Sequence, residues 1–137
     1  MDDLMISTRV STSGMKAQAT RLRVVSENLA NADSVATTPG GDPYRRKSVS
    51  FQNVLNQETG TQMVKVNRIA ADTSTPFEQR YEPNHPAADS RGYVKVSNVN
   101  TMVEMMDMRE AERSYEANLG AMQISRAMIT KTVDLLK

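Results

Sequence analysis

The chain contains no cysteine and no tryptophan, has one histidine, and draws only 4% of its 137 residues from the aromatic types. Without cysteine it can form no disulfide, thiolate nucleophile or sulfur-based zinc site. Because His85 is the only histidine, a two-histidine metal site is excluded, and a Ser/His/Asp triad would have one candidate base. These absences argue against an enzyme.

Charge and hydropathy give no sign of a nucleic-acid or membrane partner. Lys and Arg number 17 against 16 Asp and Glu, so the net charge is +1 and no strong overall field attracts an anionic surface. No apolar run approaches the roughly 20 residues that span a bilayer. The opening MDDLMISTRV lacks the basic and apolar regions of a secretory signal. We therefore expect a soluble chain that, if exported, leaves by another route.

Two long helices are predicted at the ends of the chain. Residues 4–31 place apolar side chains on about half of a helical circumference, and this helix is expected to end near Asn31. A second helical pattern runs from Thr101 to Leu136, where Thr101 and Glu104 have the spacing of a capping box. Methionine, with 10 copies, is the main large apolar residue, which predicts a thin and pliable core.

The second helix has apolar residues on two opposite faces. The first stripe consists of Met105, Met108, Tyr115, Leu119, Met122, Ile129, Val133 and Leu136. The second stripe consists of Val103, Met106, Ala117, Ala121, Ile124, Met128 and Leu135. Because the only other long helix can cover one stripe, the other needs a second molecule. This is the main physical inference from the sequence.

The middle of the chain is predicted to be a small β-rich insert with extended loops. Alternation predicts strands at Gln62–Ile69 and Gly92–Ser97, with a weaker third strand within 44–55 or 77–81. The fold class is therefore mainly α with a small β insert. The expected domains are an N-terminal helix at 1–32, the insert at 33–99 and a C-terminal helix at 100–137.

Two terminal motifs carry most of the remaining information. The first is Ser13-Gly14 followed by Asn28-Leu29-Ala30-Asn31; a glycine inside a helix costs about 1 kcal/mol, which suggests that another backbone approaches Gly14 closely. Asn28 lies beside the apolar face and needs partners if it is buried. The second motif spans 98–118. Taken alone, the first motif is equally consistent with an ordinary amphipathic helix that has a polar C-cap. The second motif alone is equally consistent with the core of a helical bundle.

Together and in this order, the motifs resemble the ends of the flagellar axial proteins, the family of rod, hook and hook-associated subunits. Residues 98–118 are similar to that family's Asn-Val-x-x-x-x-Glu-Met to Tyr-x-Ala-Asn pattern almost position by position. The internal stretches 38–47 and 83–94 are similar to its proximal-rod subunits. A mild departure is Ser34, where rod proteins often carry Thr.

The resemblance implies a structural rod subunit in the periplasmic part of the flagellar basal body. Such subunits polymerise with copies of themselves and other rod proteins into a hollow helical shaft, which transmits torque to the hook and passes export substrates. It further implies an inner coiled-coil domain of the terminal helices, an outward-facing insert, contact with the basal-body rings, and export by the flagellar type III apparatus. No cofactor, metal or small-molecule substrate is expected.

The predicted subunit interface combines the two motifs with part of both stripes. Its residues are Ser13, Gly14, Ala17, Leu22, Asn28, Leu29, Ala30, Asn31, Glu104, Met105, Ala111, Tyr115, Ala117, Asn118, Leu119, Met122, Ile124 and Met128.

Other readings rest on fewer residues. A soluble helical adaptor or export chaperone would bind a partner helix with the uncovered stripe. An enzyme would have to use His85 with Asp89 as half of a metal or acid–base site, without a marked third ligand. The run Arg45-Arg46-Lys47 could contact phosphates, although a solvated or interface-facing cluster is favoured.

Overall fold

A computed structural model describes all 137 residues. Its elements in chain order are α1 (Asp2–Ala30), β1 (Lys47–Asn56), β2 (Thr61–Ala71), β3 (Glu78–Tyr81), β4 (Tyr93–Val96) and α2 (Thr101–Leu135). Two long terminal helices thus enclose a small β insert in sequence, which confirms the predicted class. Neither helix contains a stretch long and apolar enough to cross a membrane.

The helix ends are set by two asparagines. Asn100 caps α2, because its Oδ1 accepts hydrogen bonds from the backbone N–H groups of Met102 (3.1 Å) and Val103 (3.3 Å). The predicted capping box at Thr101 is therefore wrong, and Glu104 is used elsewhere. At the end of α1, Asn31 is not left-handed, since only glycines have positive φ. Its Nδ2 instead donates to the carbonyl of Glu27 at 2.8 Å.

Both predicted strands exist, and each of the two ranges proposed for a third strand, 44–55 and 77–81, also contains a strand. β1 pairs with β2, and the short connection between them turns at Gly60, whose φ is +64°. β3 pairs antiparallel with β4, with Glu78 opposite Val96 and Tyr81 opposite Tyr93. The two tyrosine rings meet edge to face, with centroids 5.3 Å apart.

The chain divides into two compact units. Unit 1 comprises 1–22, 49–68 and 109–137, and unit 2 comprises 23–48 and 69–108. Each unit draws on both terminal helices and on the insert, whereas the predicted segments 1–32, 33–99 and 100–137 follow the order of the sequence. That three-part division stays a prediction.

The two units bury very different side chains. In unit 1 the buried residues are all small: Ser11, Ala17, Ala111 and Ser125. Unit 2 has a small apolar core of Ala36, Ala87 and Val94, against which Val35 and Ala88 pack. The largest fully buried side chain of the protein, Glu104, also belongs to unit 2. A core this thin agrees with the composition.

Candidate functional site

Within unit 1, side chains of α1 contact side chains of α2. The Ser7 hydroxyl lies 3.1 Å from that of Ser125, and Arg21 pairs with Glu110 at 3.3 Å. Because Ser125 donates its proton to the Ala121 carbonyl (3.0 Å), Ser7 is the donor to Ser125. As the position in α1 rises, the partner position in α2 falls, so the contacting segments run in opposite directions.

At Gly14 the two segments are in close contact. A Cβ built on Gly14 would lie 2.9 Å from Nδ2 of Asn118, below any normal contact. The neighbour is therefore the Asn118 side chain, which corrects the expectation of a neighbouring backbone. Asn118 is held in place because its Nδ2 donates to the Ser114 carbonyl at 2.9 Å. The structure thus brings together one predicted interface residue from each terminal motif.

Unit 2 contains a buried polar network centred on Asn28. The Asn28 amide donates to Oε2 of Glu104 (3.1 Å) and to the Lys47 carbonyl (2.8 Å). Its Oδ1 accepts from the Tyr44 hydroxyl (2.9 Å) and from the Lys47 N–H (3.0 Å). Both donors and both acceptor sites of the amide are used, which satisfies a side chain with no solvent exposure.

Glu104 is balanced by Arg46. The Arg46 Nε donates to Oε1 of Glu104, and the Arg46 backbone N–H donates to Oδ1 of Asn98 at 2.7 Å. Asn98 in turn donates to the carbonyls of Asp72 and Thr75, both at 3.1 Å. We call Asn28, Arg46, Asn98 and Glu104 the polar lock. A buried carboxylate is tolerated here because a guanidinium and an amide satisfy its oxygens.

The basic run Arg45-Arg46-Lys47 is absorbed by intramolecular contacts. Arg45 stacks on the Phe77 ring, with its guanidinium carbon 4.2 Å from the centroid. The Lys47 ammonium is 3.2 Å from Glu27, and this hydrogen bond is the main cause that lowers the Glu27 pKa. Burial raises the pKa of Tyr44, which stays a hydrogen-bond donor to Asn28. Arg46 is therefore bonded within the chain and not merely solvated, while an interface-facing position of the cluster stays a prediction.

His85 and Asp89 serve turns of the backbone. His85 Nδ1 accepts from the Ala87 N–H at 3.0 Å, and Asp89 Oδ1 accepts from the N–H groups of Arg91 (2.8 Å) and Tyr93 (2.9 Å). The bond from Tyr93 is the largest cause that lowers the Asp89 pKa. No three His, Asp or Glu side chains gather in a way that could hold a metal.

The chain is similar to known proteins. Two family profiles match it: Flagella basal body rod protein over residues 9–36, and Flagellar basal body rod FlgEFG protein C-terminal over residues 90–135. A protein of Agrobacterium fabrum strain C58, named flagellar basal-body rod protein FlgC, is 49% identical over 137 residues, covering 100% of this chain and 98% of its own length.

Proteins with the same name in other bacteria are also similar. The Escherichia coli O6:H1 protein is 42% identical over 126 residues, covering 92% of each chain. The Bacillus subtilis strain 168 protein is 40% identical over 146 aligned positions, covering 96% of this chain and 97% of its own. The chain belongs to the FlgC family of flagellar basal-body rod proteins.

The polar lock links the two matched regions of this family member. Asn28 falls in the first matched region, and Asn98 and Glu104 fall in the second. Arg46 lies in neither, and sequence reasoning missed its pairing with Glu104. The available signal was the presence of a glutamate, Glu104, beside the apolar stripes of α2, which requires a cation if it is buried.

The predicted interface residues of this FlgC-family chain differ widely in exposure. Four are buried by the chain itself: Ala17, Asn28, Glu104 and Ala111. Nine are half-buried: Ser13, Gly14, Leu22, Leu29, Asn31, Tyr115, Asn118, Leu119 and Met122. Five are exposed: Ala30, Met105, Ala117, Ile124 and Met128. The exposed ones are therefore the members that a neighbouring molecule can reach directly.

The second stripe of α2 is exposed along its whole length. All seven of its residues are exposed, including Met106 at 70%, Ile124 at 63% and Leu135 at 88%. In the first stripe, Tyr115, Leu119 and Met122 are half-buried. Over this central part of the helix the chain therefore covers the first stripe in part and leaves the second stripe open.

Proposed function

We propose that this chain is a structural subunit of the flagellar basal-body rod. The observation that carries the proposal is the similarity along nearly the whole chain, at 36–49% identity, to proteins named flagellar basal-body rod protein FlgC. Rod proteins of this family are structural and not enzymes. The contacts of His85 and Asp89, which serve backbone turns, supply no competing catalytic site.

The physical basis of assembly is the shortage of buried apolar surface in unit 1. Its buried residues are two serines and two alanines, while Ile124, Met128 and Leu135 on α2 are exposed. When a neighbouring molecule buries such apolar surface, the assembly is stabilised by about 25 cal/mol of free energy per Å² of apolar surface removed from water. Neighbouring subunits therefore complete the packing that this unit lacks.

The α1 and α2 segments of unit 1 form, in this proposal, an antiparallel helical hairpin of coiled-coil type. The contacts of Ser7 with Ser125, Gly14 with Asn118, and Arg21 with Glu110 support it. The hairpin presents the second stripe to copies of the chain and to other rod subunits. The exposed residues Ala117, Ile124 and Met128 form the centre of this interface.

The finer features of the proposal come from the family. The subunit is exported by the flagellar type III apparatus, without a cleaved signal, to the proximal rod in the periplasm. There it contributes to a hollow shaft that transmits torque and passes later export substrates, and it contacts other rod subunits and the surrounding rings. Close-packed helices suit this role because packed interiors resist deformation.

Ala117→Glu tests the interface. A charge in the centre of the second stripe leaves an unpaired carboxylate in the assembled rod, so we expect complete loss of swimming and of assembled rods with normal synthesis of the chain. Swimming is scored in a strain lacking the native gene, and rods are counted by electron microscopy of purified basal bodies.

The matched control is Ala127→Glu, which changes an exposed alanine of the same helix outside both stripes. The control should swim. Normal swimming by both variants would contradict the interface. The same preparations test the adaptor or chaperone alternative, because a chaperone remains in the cytoplasm and is absent from purified basal bodies.

A further inference from the structure

Unit 1 contains an open groove between α1 and the β1–β2 hairpin, with a volume of about 680 Å³. One wall follows α1 from Thr8 to Thr20, a length of about 18 Å at 1.5 Å per residue. The other wall consists of strand residues of the hairpin: Val54, Asn56, Met63, Val64, Lys65 and Val66. The surface is mainly apolar, and no part of the chain fills it.

The charge around this groove is of one sign. Arg9, Lys16 and Lys65 line it, and no aspartate or glutamate does. All three side chains are exposed, and none has an ion-pair partner in the chain. Three uncompensated cations beside an apolar surface favour an occupant that combines apolar side chains with carboxylates.

The chain itself carries such a segment at the start of α1. Asp2 and Asp3 are adjacent, exposed and without an ion-pair partner, and no basic residue precedes Arg9. Met1 and Met5, one helical turn apart, are 52% and 50% exposed. We call residues 1–5 the acidic turn. It offers two carboxylates and two flexible apolar side chains, which adapt well to a new surface.

We propose that the groove of one copy receives the acidic turn of a second copy, so that successive copies join head to tail. A copy cannot fill its own groove, because its acidic turn continues the same helix beyond Thr8 and leads away from the groove wall. Two different surfaces meeting in this way form a heterologous contact, which generates a ring where the rotation between copies closes and an open helical assembly where it does not. The inference rests on the proposed function and assigns one contact of the assembly.

Disulfide trapping tests this contact directly, because the chain has no cysteine of its own. Full-length Met5→Cys is mixed with full-length Val64→Cys under mild oxidation at low salt, and the covalent heterodimer is measured by non-reducing electrophoresis. The control pair is Met5→Cys with Ser90→Cys, since Ser90 is exposed and is not one of the residues that line the groove.

We expect the heterodimer only with Val64→Cys. Adding Lys16→Glu and Lys65→Glu to the groove chain should lower the heterodimer yield about tenfold, because two favourable charge pairs become repulsive ones. Adding Asp2→Lys and Asp3→Lys to the other chain should restore the yield. A heterodimer yield equal to that of the control pair would overturn the proposal. So would a yield that does not change when the charges are reversed.

A parallel measurement separates this proposal from the proposed function. Purified basal bodies carrying Val64→Cys, labelled with a photoreactive group, should cross-link to a second copy; cross-linking only to a different rod subunit would overturn the proposal. Normal swimming of Lys16→Glu/Lys65→Glu would also overturn it while the rod function stands. If the unmodified chain is absent from basal bodies, the rod function fails whatever the trapping experiment shows.

Discussion

Glu104 is a charged side chain with no solvent exposure, and its two oxygens accept from one guanidinium and one amide. These partners come from α1 and from the segment before β1, whereas Glu104 itself lies on α2. Burial of a charge is costly, so the network stabilises the fold only while every member is present. The residues of the polar lock therefore define one arrangement of these segments within unit 2.

Glu104→Gln removes the charge while keeping the shape. We expect a loss of about 2–3 kcal/mol in the free energy of unfolding, because Arg46 loses its closest carboxylate. Urea denaturation of the purified chain, followed by circular dichroism, measures it. Glu112→Gln, an exposed glutamate on the same helix, is the control and should change little. Equal stability of both variants would contradict the role of the lock.

Gly14→Leu places a side chain where Asn118 already lies. We expect destabilisation of about 1–3 kcal/mol and loss of rod assembly, because the two helices must separate. Gly120→Leu is the matched control: nothing lies within 4 Å of a Cβ at Gly120, and leucine favours the helix. Thermal unfolding of both variants gives the comparison. A Gly14→Leu chain as stable as Gly120→Leu would rule out the close approach.

At the scale of the element, α2 has a polar cap at its N-terminus and an apolar stripe that the rest of the chain does not cover. Its first turn is held by Asn100, and its second stripe is open to solvent. The start of the helix is a local matter of one side chain and two N–H groups. The exposed second stripe, in contrast, extends along the whole 35-residue helix, and another molecule is needed to shield it from water.

Asn100→Ala and Thr101→Ala distinguish the two possible caps. Removal of the Asn100 side chain leaves two backbone N–H groups without their acceptor, so we expect a cost of about 1 kcal/mol. Thr101→Ala should cost only a few tenths, because alanine is a good helix former at the first helical position. Chemical denaturation of both variants measures the difference. The reverse order of stabilities would reinstate the capping box.

At the scale of the whole molecule, the two units differ in what holds them together. Unit 2 has both the Ala36, Ala87 and Val94 core and the polar lock. Unit 1 buries only serine and alanine. Local stability follows buried apolar contact, so the free chain should not be equally stable throughout.

Hydrogen exchange of the free chain should show this difference. We expect the amides of 109–130 in α2 to exchange faster than those of 93–98 in unit 2, and to become protected in assembled rods. Mass spectrometry of the free chain and of purified basal bodies measures both states. Strong protection of 109–130 in the free chain would mean that the second stripe needs no neighbour.

Much of the fold was predictable because the helices and strands follow from local patterns of residues. The helix bounds follow from apolar periodicity and from turn-rich flanks, and the strands follow from alternation at Met63 to Val66 and Tyr93 to Val96. The cap at Asn100 was misplaced by one residue, because Thr101 satisfies the same spacing rule. The placement of Arg46 was missed because its partner lies 58 residues away in sequence.

The sequence by itself determined the two amphipathic helices, the β insert, the excess of apolar surface on α2 and the family. These follow from residue order alone, since periodicity and motifs need no distant partner. Only the tertiary structure decided that Asn28 and Glu104 meet, that Asn118 occupies the space beside Gly14, and that α1 and the hairpin leave a cationic groove. Such features depend on which distant segments come together, and a local pattern does not specify its partner.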